Sequence, residues 1–264
     1  MYKIHEIAAL IEKLAPLELA GDYDNVGLIV GRGTADVTRV LLALDATSPV
    51  INEAVTLGAQ LIIVHHPPIW TAIKRINDAT PQGCKLLTLA ERSIAVYAAH
   101  TNLDACEGGI NDILFDILKL KNKELFHQDK PNVFFGRAGT LSVPMALSKF
   151  ARFVQDKLNL DAAVFCGDPD AIVRKVGIIG GSGARDAEFA DALAIGCDTY
   201  ITGDIKHDAA LSAQDLGLNL IDATHYGSEI VFAAPLKKYL EENFPNLEII
   251  ISKAEKPPFL TFVV

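Results

Sequence analysis

RVLLALDATSPVINEAVTLGAQLIIVHH, residues 39–66, is the stretch on which the fold turns. Residues 38–45 (TRVLLALD) form an almost unbroken apolar run, the pattern of a strand buried on both faces. Ser48 offers an N-cap and Pro49 suits a first helical turn. INEAVTLGA then reads as a helix ending near Gly58. LIIV (61–64) is a second buried strand, and it runs straight into His65-His66-Pro67-Pro68.

The same alternation spreads outward in both directions. Residues 3–14 carry apolar side chains at helical spacing, with Pro16 to stop them. A helix around 83–92 precedes the strand SIAVYAA (93–99), which runs into His100, and a helix follows around 109–119. Residues 120–145 are less regular, although FFGRAGTLSV (134–143) alternates like a half-exposed strand, and 146–158 is helical again. Then come the strand VRKVGIIG (173–180), a helix near 186–195, TYIT (199–202), a helix near 205–216, LNLID (218–222) and one long helix near 227–243. LEIIIS (247–252) and FLTFVV (259–264) close the chain as strands. Continuous apolar strands between amphipathic helices predict an α/β fold with a sheet covered on both faces.

The two halves can be laid over one another. RKVGIIGGSGARDAEFADALAIGCDTYITGD repeats strand, helix, glycine, strand, with Gly203-Asp204 where the first half has His65-His66. One unit later, VYAAHTNLD carries His100 and Asp104, and LIDATHYGSE carries His225 and Glu229. The pattern predicts one domain over 1–264, built of two similar lobes at about 1–130 and 131–264. Strand ends from both would converge on a site between them, as function gathers at the carboxyl ends of parallel strands.

Bulk composition narrows the function. With 264 residues, half of them hydrophobic, the chain can build a sizeable core. A formal net charge of −9 opposes a nucleic-acid coat, which needs clustered cations. A nucleotide substrate stays open, because bound divalent cations reverse the local field. Cys84, Cys106, Cys166 and Cys197 form no CxxC pair and read as free thiols of a reducing compartment. MYKIHEIAALIEKLAP is charged throughout, and no run approaches a membrane span. The expectation is a soluble, cytoplasmic protein with no membrane partner.

Four of the seven histidines fall at predicted strand ends beside carboxylates. Side chains of neighbouring strand residues point to opposite sides, so His65 and His66 can share a site only where the strand ends and turns. Pro67-Pro68 favours such an exit. His225 and Glu229 are spaced i, i+4, as are His100 and Asp104, which puts each pair on one helix face. Imidazole and carboxylate without thiolate suit zinc, manganese, iron, cobalt or nickel. Five ligands, His65, His66, Asp104, His225 and Glu229, exceed one tetrahedral catalytic zinc, and fit two divalent ions if Glu229 bridges them. His100 is a third kind of candidate: ligand, hydrogen-bond donor to a ligand, or proton shuttle. Asp204 could orient a ligand imidazole or take a proton, and His207 could act as a general acid or base. Gly180-Gly181-Ser182-Gly183 could offer backbone N–H groups to a phosphate, and a plain tight turn accounts for it equally well. Trp70 and Tyr226 lie near the proposed ligands and could stack on a base or simply pack.

DYDNVGLIVG (22–31), IVHHPPIW (63–70), HTNLDAC (100–106), ITGDIKH (201–207) and THYGSE (224–229) together resemble the successive motifs of the Nif-three-like family, whose members are often labelled GTP cyclohydrolase I type-two homologues. The resemblance covers nearly the whole chain. It implies two similar α/β lobes around a dinuclear metal centre, ligation by those same five residues, and a toroidal homohexamer. Residues 120–145 leave no room for the extra middle domain of some relatives, so the chain resembles the short form. The leading expectation is a two-metal hydrolase of a nucleotide-like or phosphorylated small molecule, with GTP ring opening as the family's example and His100, Asp204 or His207 handling protons. The alternative is a non-catalytic, metal-dependent regulatory or binding scaffold that forms a ring, with DYDNVGLIVG at an oligomer or partner interface.

Overall fold

The structure, a computed structural model, describes residues 1–261. In chain order the strands are β1 (Tyr2–Lys3), β2 (Gly27–Val30), β3 (Asp36–Val37), β4 (Arg39–Asp45), β5 (Leu61–His66), β6 (Ala95–Ala98), β7 (Lys121–Lys130), β8 (Val133–Ala146), β9 (Val164–Cys166), β10 (Ile172–Ile178), β11 (Thr199–Thr202), β12 (Asn219–Asp222) and β13 (Glu248–Ile251). The helices are α1 (Ile4–Leu14), α2 (Ser48–Leu57), α3 (Pro81–Glu91), α4 (Thr101–Ala105), α5 (Ile110–Ile117), α6 (Leu147–Leu158), α7 (Asp186–Ala194), α8 (His207–Asp215), α9 (His225–Glu229) and α10 (Ala233–Asn243).

Two compact units share these elements. The first joins Met1–Glu107 to Phe232–Lys256, and the second comprises Gly108–Val231 with the described residues from Pro257. Their boundaries differ from the lobes read in the sequence. Phe232–Lys256 returns to the first unit, because β13 pairs with β4 in parallel, Ile249 opposite Val40 and Ile251 opposite Leu42.

The sheet of the first unit runs β13-β4-β5-β6-β2. β4, β5 and β6 are parallel in chain order, and β2 closes one edge antiparallel to β6. Strand alternation gives the sheet two apolar faces. Leu41, Ala43, Ile62, Val64, Val96 and Ala98 pack with Val50, Ile51 and Ala54 of α2 and with Leu86 and Leu89 of α3. On the alternate positions Leu42, Ile63 and Tyr97 are equally buried, and Tyr97 Oη reaches Glu12 of α1. The α2 N-cap is Thr47, which accepts from Val50 N, one residue before the expected Ser48. Gly58 closes α2 in the left-handed region at φ 66°, as its position suggested.

The sheet of the second unit runs β7-β8-β10-β11-β12-β9, with β10, β11 and β12 parallel. β7 and β8 form a long antiparallel hairpin where the sequence shows little regularity. The expected helix over 227–243 is broken into α9, one 3-10 turn at Ile230–Phe232, and α10. Residues 259–261 of the expected last strand are not in a strand, and the rest of it lies outside the described residues. Among the described residues, no helix is long and apolar enough to cross a membrane.

Candidate metal centre

In the first unit the chemistry gathers at the carboxyl end of the parallel strands. β5 extends through His65 and His66, so the pair does not require the strand to have ended. His65 is fully buried and His66 half-buried, with ring centroids 5.0 Å apart. His100 follows β6 and precedes α4, and its ring lies 4.8 Å from that of His65 and 5.5 Å from that of His66. One ring nitrogen of each of the three lies within 4.8 Å of the others. Asp104 of α4 places Oδ1 3.6 Å from His65 Nε2.

The second unit holds a smaller set. His225 and Glu229 sit one turn apart on α9, Nε2 to Oε2 3.0 Å, and Glu229 is buried. Asp204 follows β11 in the left-handed region at φ 52°, and its Oδ2 lies 2.7 Å from His225 Nδ1. Gly181 faces Glu229, and a Cβ there would come within 2.0 Å of Oε1.

Each of the four histidines has Nδ1 on an oxygen acceptor. His65 Nδ1 donates to the Ala99 carbonyl at 2.8 Å, and His66 Nδ1 to Asp45 Oδ1 at 3.0 Å. His100 Nδ1 lies 2.9 Å from both carboxylate oxygens of Asp24, and His225 Nδ1 is held by Asp204. A carbonyl or carboxylate cannot donate, so the proton sits on Nδ1 and a neutral ring turns its lone pair outward at Nε2. This is the way ligand imidazoles are held by their outer partners. In His65/Asp104 and in His225/Glu229 that lone pair then faces a carboxylate oxygen. Two acceptors face each other stably only with a second imidazole proton or a bound cation. Donors about 2.0–2.2 Å from one ion lie roughly 2.9–3.4 Å apart, close to both spacings. The donor sets fit a divalent metal.

Asp24 and Asp45 were not singled out in the sequence. Burial alone would raise the Asp24 pKa, but hydrogen bonds from His100 and Thr101 outweigh it and hold it at about 2. Asp45 ends β4 directly beside His66 in the parallel register, and a carboxylate closing an apolar strand was the available signal. Three of the four amides of the Gly180–Gly183 loop bond within the protein, which favours a structural loop over a phosphate cradle. Gly180 N donates to Asn111 Oδ1, Gly181 N to Ser228 Oγ and Gly183 N to Thr202 Oγ1, so these amides are occupied within the protein. His207 opens α8 exposed, and its side chain makes no hydrogen bond or ion pair among the described residues. Trp70 packs edge-on against His100 at 5.3 Å, and Tyr226 is half-buried in α9.

Parallel strands ending in oxygen-anchored imidazoles beside carboxylates define an α/β protein with candidate metal-binding groups. The profile of the Duf34/NIF3 (NGG1p interacting factor 3) family matches residues 2–258. A Clostridium perfringens protein described as a GTP cyclohydrolase 1 type 2 homolog is 35% identical over 261 residues, covering 97% of this chain and 98% of its own. A Bacillus subtilis protein of the same description is 26% identical over an alignment of 365 residues, covering 96% of this chain and 97% of its own, so the present chain is the short form. The crystal structure of a Bacillus cereus protein related to NIF3 superposes with a TM-score of 0.91 at 27% identity, over 99% of both chains. The chain belongs to the Duf34/NIF3 family.

Proposed function

We propose that the chain is a metal-dependent hydrolase of a nucleotide-like or phosphorylated small molecule, with His65, His66, Asp104, His225 and Glu229 holding two divalent ions. One observation carries the reading. Imidazoles fixed as Nδ1–H donors turn their Nε2 lone pairs toward carboxylates, an arrangement a cation satisfies. In this reading the units are an internal repeat, each with its own donor set. The repeated order β4-α2-β5-α3-β6 and β10-α7-β11-α8-β12 supports it. Zinc, manganese, iron, cobalt and nickel all suit the donors.

When bound, the ions supply Lewis-acid polarisation of a substrate oxygen and a lowered pKa for attacking water. The chain's own contribution is orientation and proton handling. Asp45 and Asp204 fix the rings of His66 and His225. His100, its Nδ1 proton held by Asp24, accepts a proton at Nε2 and returns it to the leaving group. Asp204 is engaged with His225, and nothing around His207 supports a share in the chemistry. The description carried by the relatives makes GTP ring opening the first reaction to try. We further propose a cytoplasmic homohexamer.

The test is a screen of metal-loaded protein against GTP and a panel of phosphoesters. A turnover abolished in Glu229→Ala is the expected result. Metal-loaded protein with no turnover above background contradicts the hydrolase and leaves a metal-dependent scaffold.

A further inference from the structure

Two large aromatic side chains, Tyr23 (61% exposed) and Trp70 (49% exposed), lie open to solvent beside the histidines of the first unit. Lone exposed aromatics are common and need no explanation. These two are paired. Their ring centroids lie 6.3 Å apart at 51°, and Trp70 stands edge-on to His100. They are also held in place from behind. Asp24 N donates to Gly21 O, closing a turn with Tyr23 inside it, and a Cβ on Gly21 would come within 2.8 Å of the Tyr23 ring. Asn25 Nδ2 donates to the Ile69 carbonyl at 2.6 Å, tying the residue before Trp70 to the same turn. Gly21 N donates to Thr101 Oγ1, and Asp24 takes His100. One short segment, Gly21–Asn25, thus carries Tyr23, anchors the backbone beside Trp70 and holds the His100 ring. This gives the DYDN motif a task that metal ligation does not.

We propose that Tyr23 and Trp70 form a stacking platform for the planar nitrogen heterocycle of a nucleotide. Aromatic faces take any flat base, and the platform adjoins the imidazole assigned to proton handling. A cationic guest, the other partner such rings accept, would be disfavoured by the metal ions proposed for the neighbouring histidines and by Lys74 and Arg75, which follow Trp70 closely in the chain. These two cations stand four and five residues beyond Trp70 with no carboxylate partner among the described residues, and they suit the phosphate of a nucleotide. The inference rests on the proposed function for its chemistry, but its test does not depend on turnover.

Trp70 is the only tryptophan, so its fluorescence reports the platform directly. Full-length, metal-loaded protein is titrated with guanosine 5′-monophosphate, adenosine 5′-monophosphate, ribose 5-phosphate and choline, with excitation beyond the tyrosine band. Saturable quenching by both nucleotides, with none from ribose 5-phosphate or choline, is expected. Tyr23→Ala should weaken that binding about five- to hundredfold while keeping the metal content of the native chain. Trp70→Ala, followed by equilibrium dialysis, should weaken it similarly, and Trp70→Phe less. Equal quenching by ribose 5-phosphate, quenching by choline alone, no saturable change, or unchanged affinity in both alanine variants overturns the platform. A chain that binds no metal yet shows the nucleotide quench sinks the hydrolase reading and leaves the platform standing.

Discussion

At the scale of single residues, the proposed centre would depend on oxygen atoms that touch no metal themselves. Asp204 holds the Nδ1 proton of His225, and Asp45 that of His66. Removing such a partner typically costs ten- to a hundredfold in metal affinity. Asp204→Ala and Asp45→Ala should each weaken zinc binding by about that factor in competition with a chromophoric chelator, while the melting temperature without metal barely moves. Gly181 is a second point of control. Its φ of 66° already disfavours a side chain, and the 2.0 Å approach to Glu229 makes Gly181→Ala a displacement of that carboxylate. Metal affinity should fall sharply in that variant, and affinity equal to native would show that Glu229 is not a ligand. The candidate imidazoles and acids could be picked out in the sequence because such residues closing apolar runs stand out. Asp24, Asp45 and Tyr23 could not, because their partners are 76, 21 and 47 positions away and only the folded chain pairs them.

At the scale of elements, the parallel strands were legible, and of the antiparallel hairpin only its second strand was, as the alternation of FFGRAGTLSV. β4 is apolar nearly throughout and β5 up to its two histidines, which is the signature of strands covered on both faces, and β11 is buried at all four positions. β7, KNKELFHQDK, buries only Phe126 among polar neighbours, so neither periodicity shows. What steadies that hairpin is a buried ion pair. Arg137 of β8 donates Nε to Asp112 of α5 at 2.5 Å, and Lys123 of β7 lies 3.3 Å from the other oxygen. Burial would raise the Asp112 pKa, but the Gly108 N–H and the two cations overcome it and hold the carboxyl below its ordinary value. A depressed folded pKa contributes stability above the unfolded value, and that contribution is lost as pH falls through the folded one. Native protein should therefore lose this increment only below about pH 4, the unfolded Asp value. Asp112→Ala should cost about 3–5 kcal/mol at neutral pH by leaving Arg137 buried without its carboxylate, and it should flatten the acid limb of the stability curve. A loss under 1 kcal/mol in urea unfolding would show the pair to be incidental.

At the scale of the whole molecule, the chain leaves its first unit at Glu107 and returns to it at Phe232. β13 covers the edge of β4, and two carboxylates bind the returning segment. Glu53 takes Ser252, Lys253 N and Ala254 N, and Glu255 accepts from Leu44 N and Asp45 N. A fragment of residues 1–107 would expose the β4 edge and the apolar surface that Leu236 and Leu240 cover, so it should show no cooperative melt. A sharp thermal transition for that fragment would refute the account. The alternation of strands and helices in both halves was visible in the sequence, but the return of the chain was not, because an apolar strand at 247–252 pairs equally well in either half on local pattern alone. The cysteines give a global reporter. Cys84 is exposed, whereas Cys197 is buried, with desolvation pushing its thiol up to about 12. Alkylation of native protein should mark Cys84 first and reach Cys197 only on unfolding.

The most direct measurement is divalent metal content, by elemental analysis, of untagged protein equilibrated with zinc or manganese and then freed of excess. Two ions per native chain are expected, with large losses in His65→Ala and in Glu229→Ala that still fold. A native chain that retains no ion, or variants that retain as much as native, would contradict the assignment.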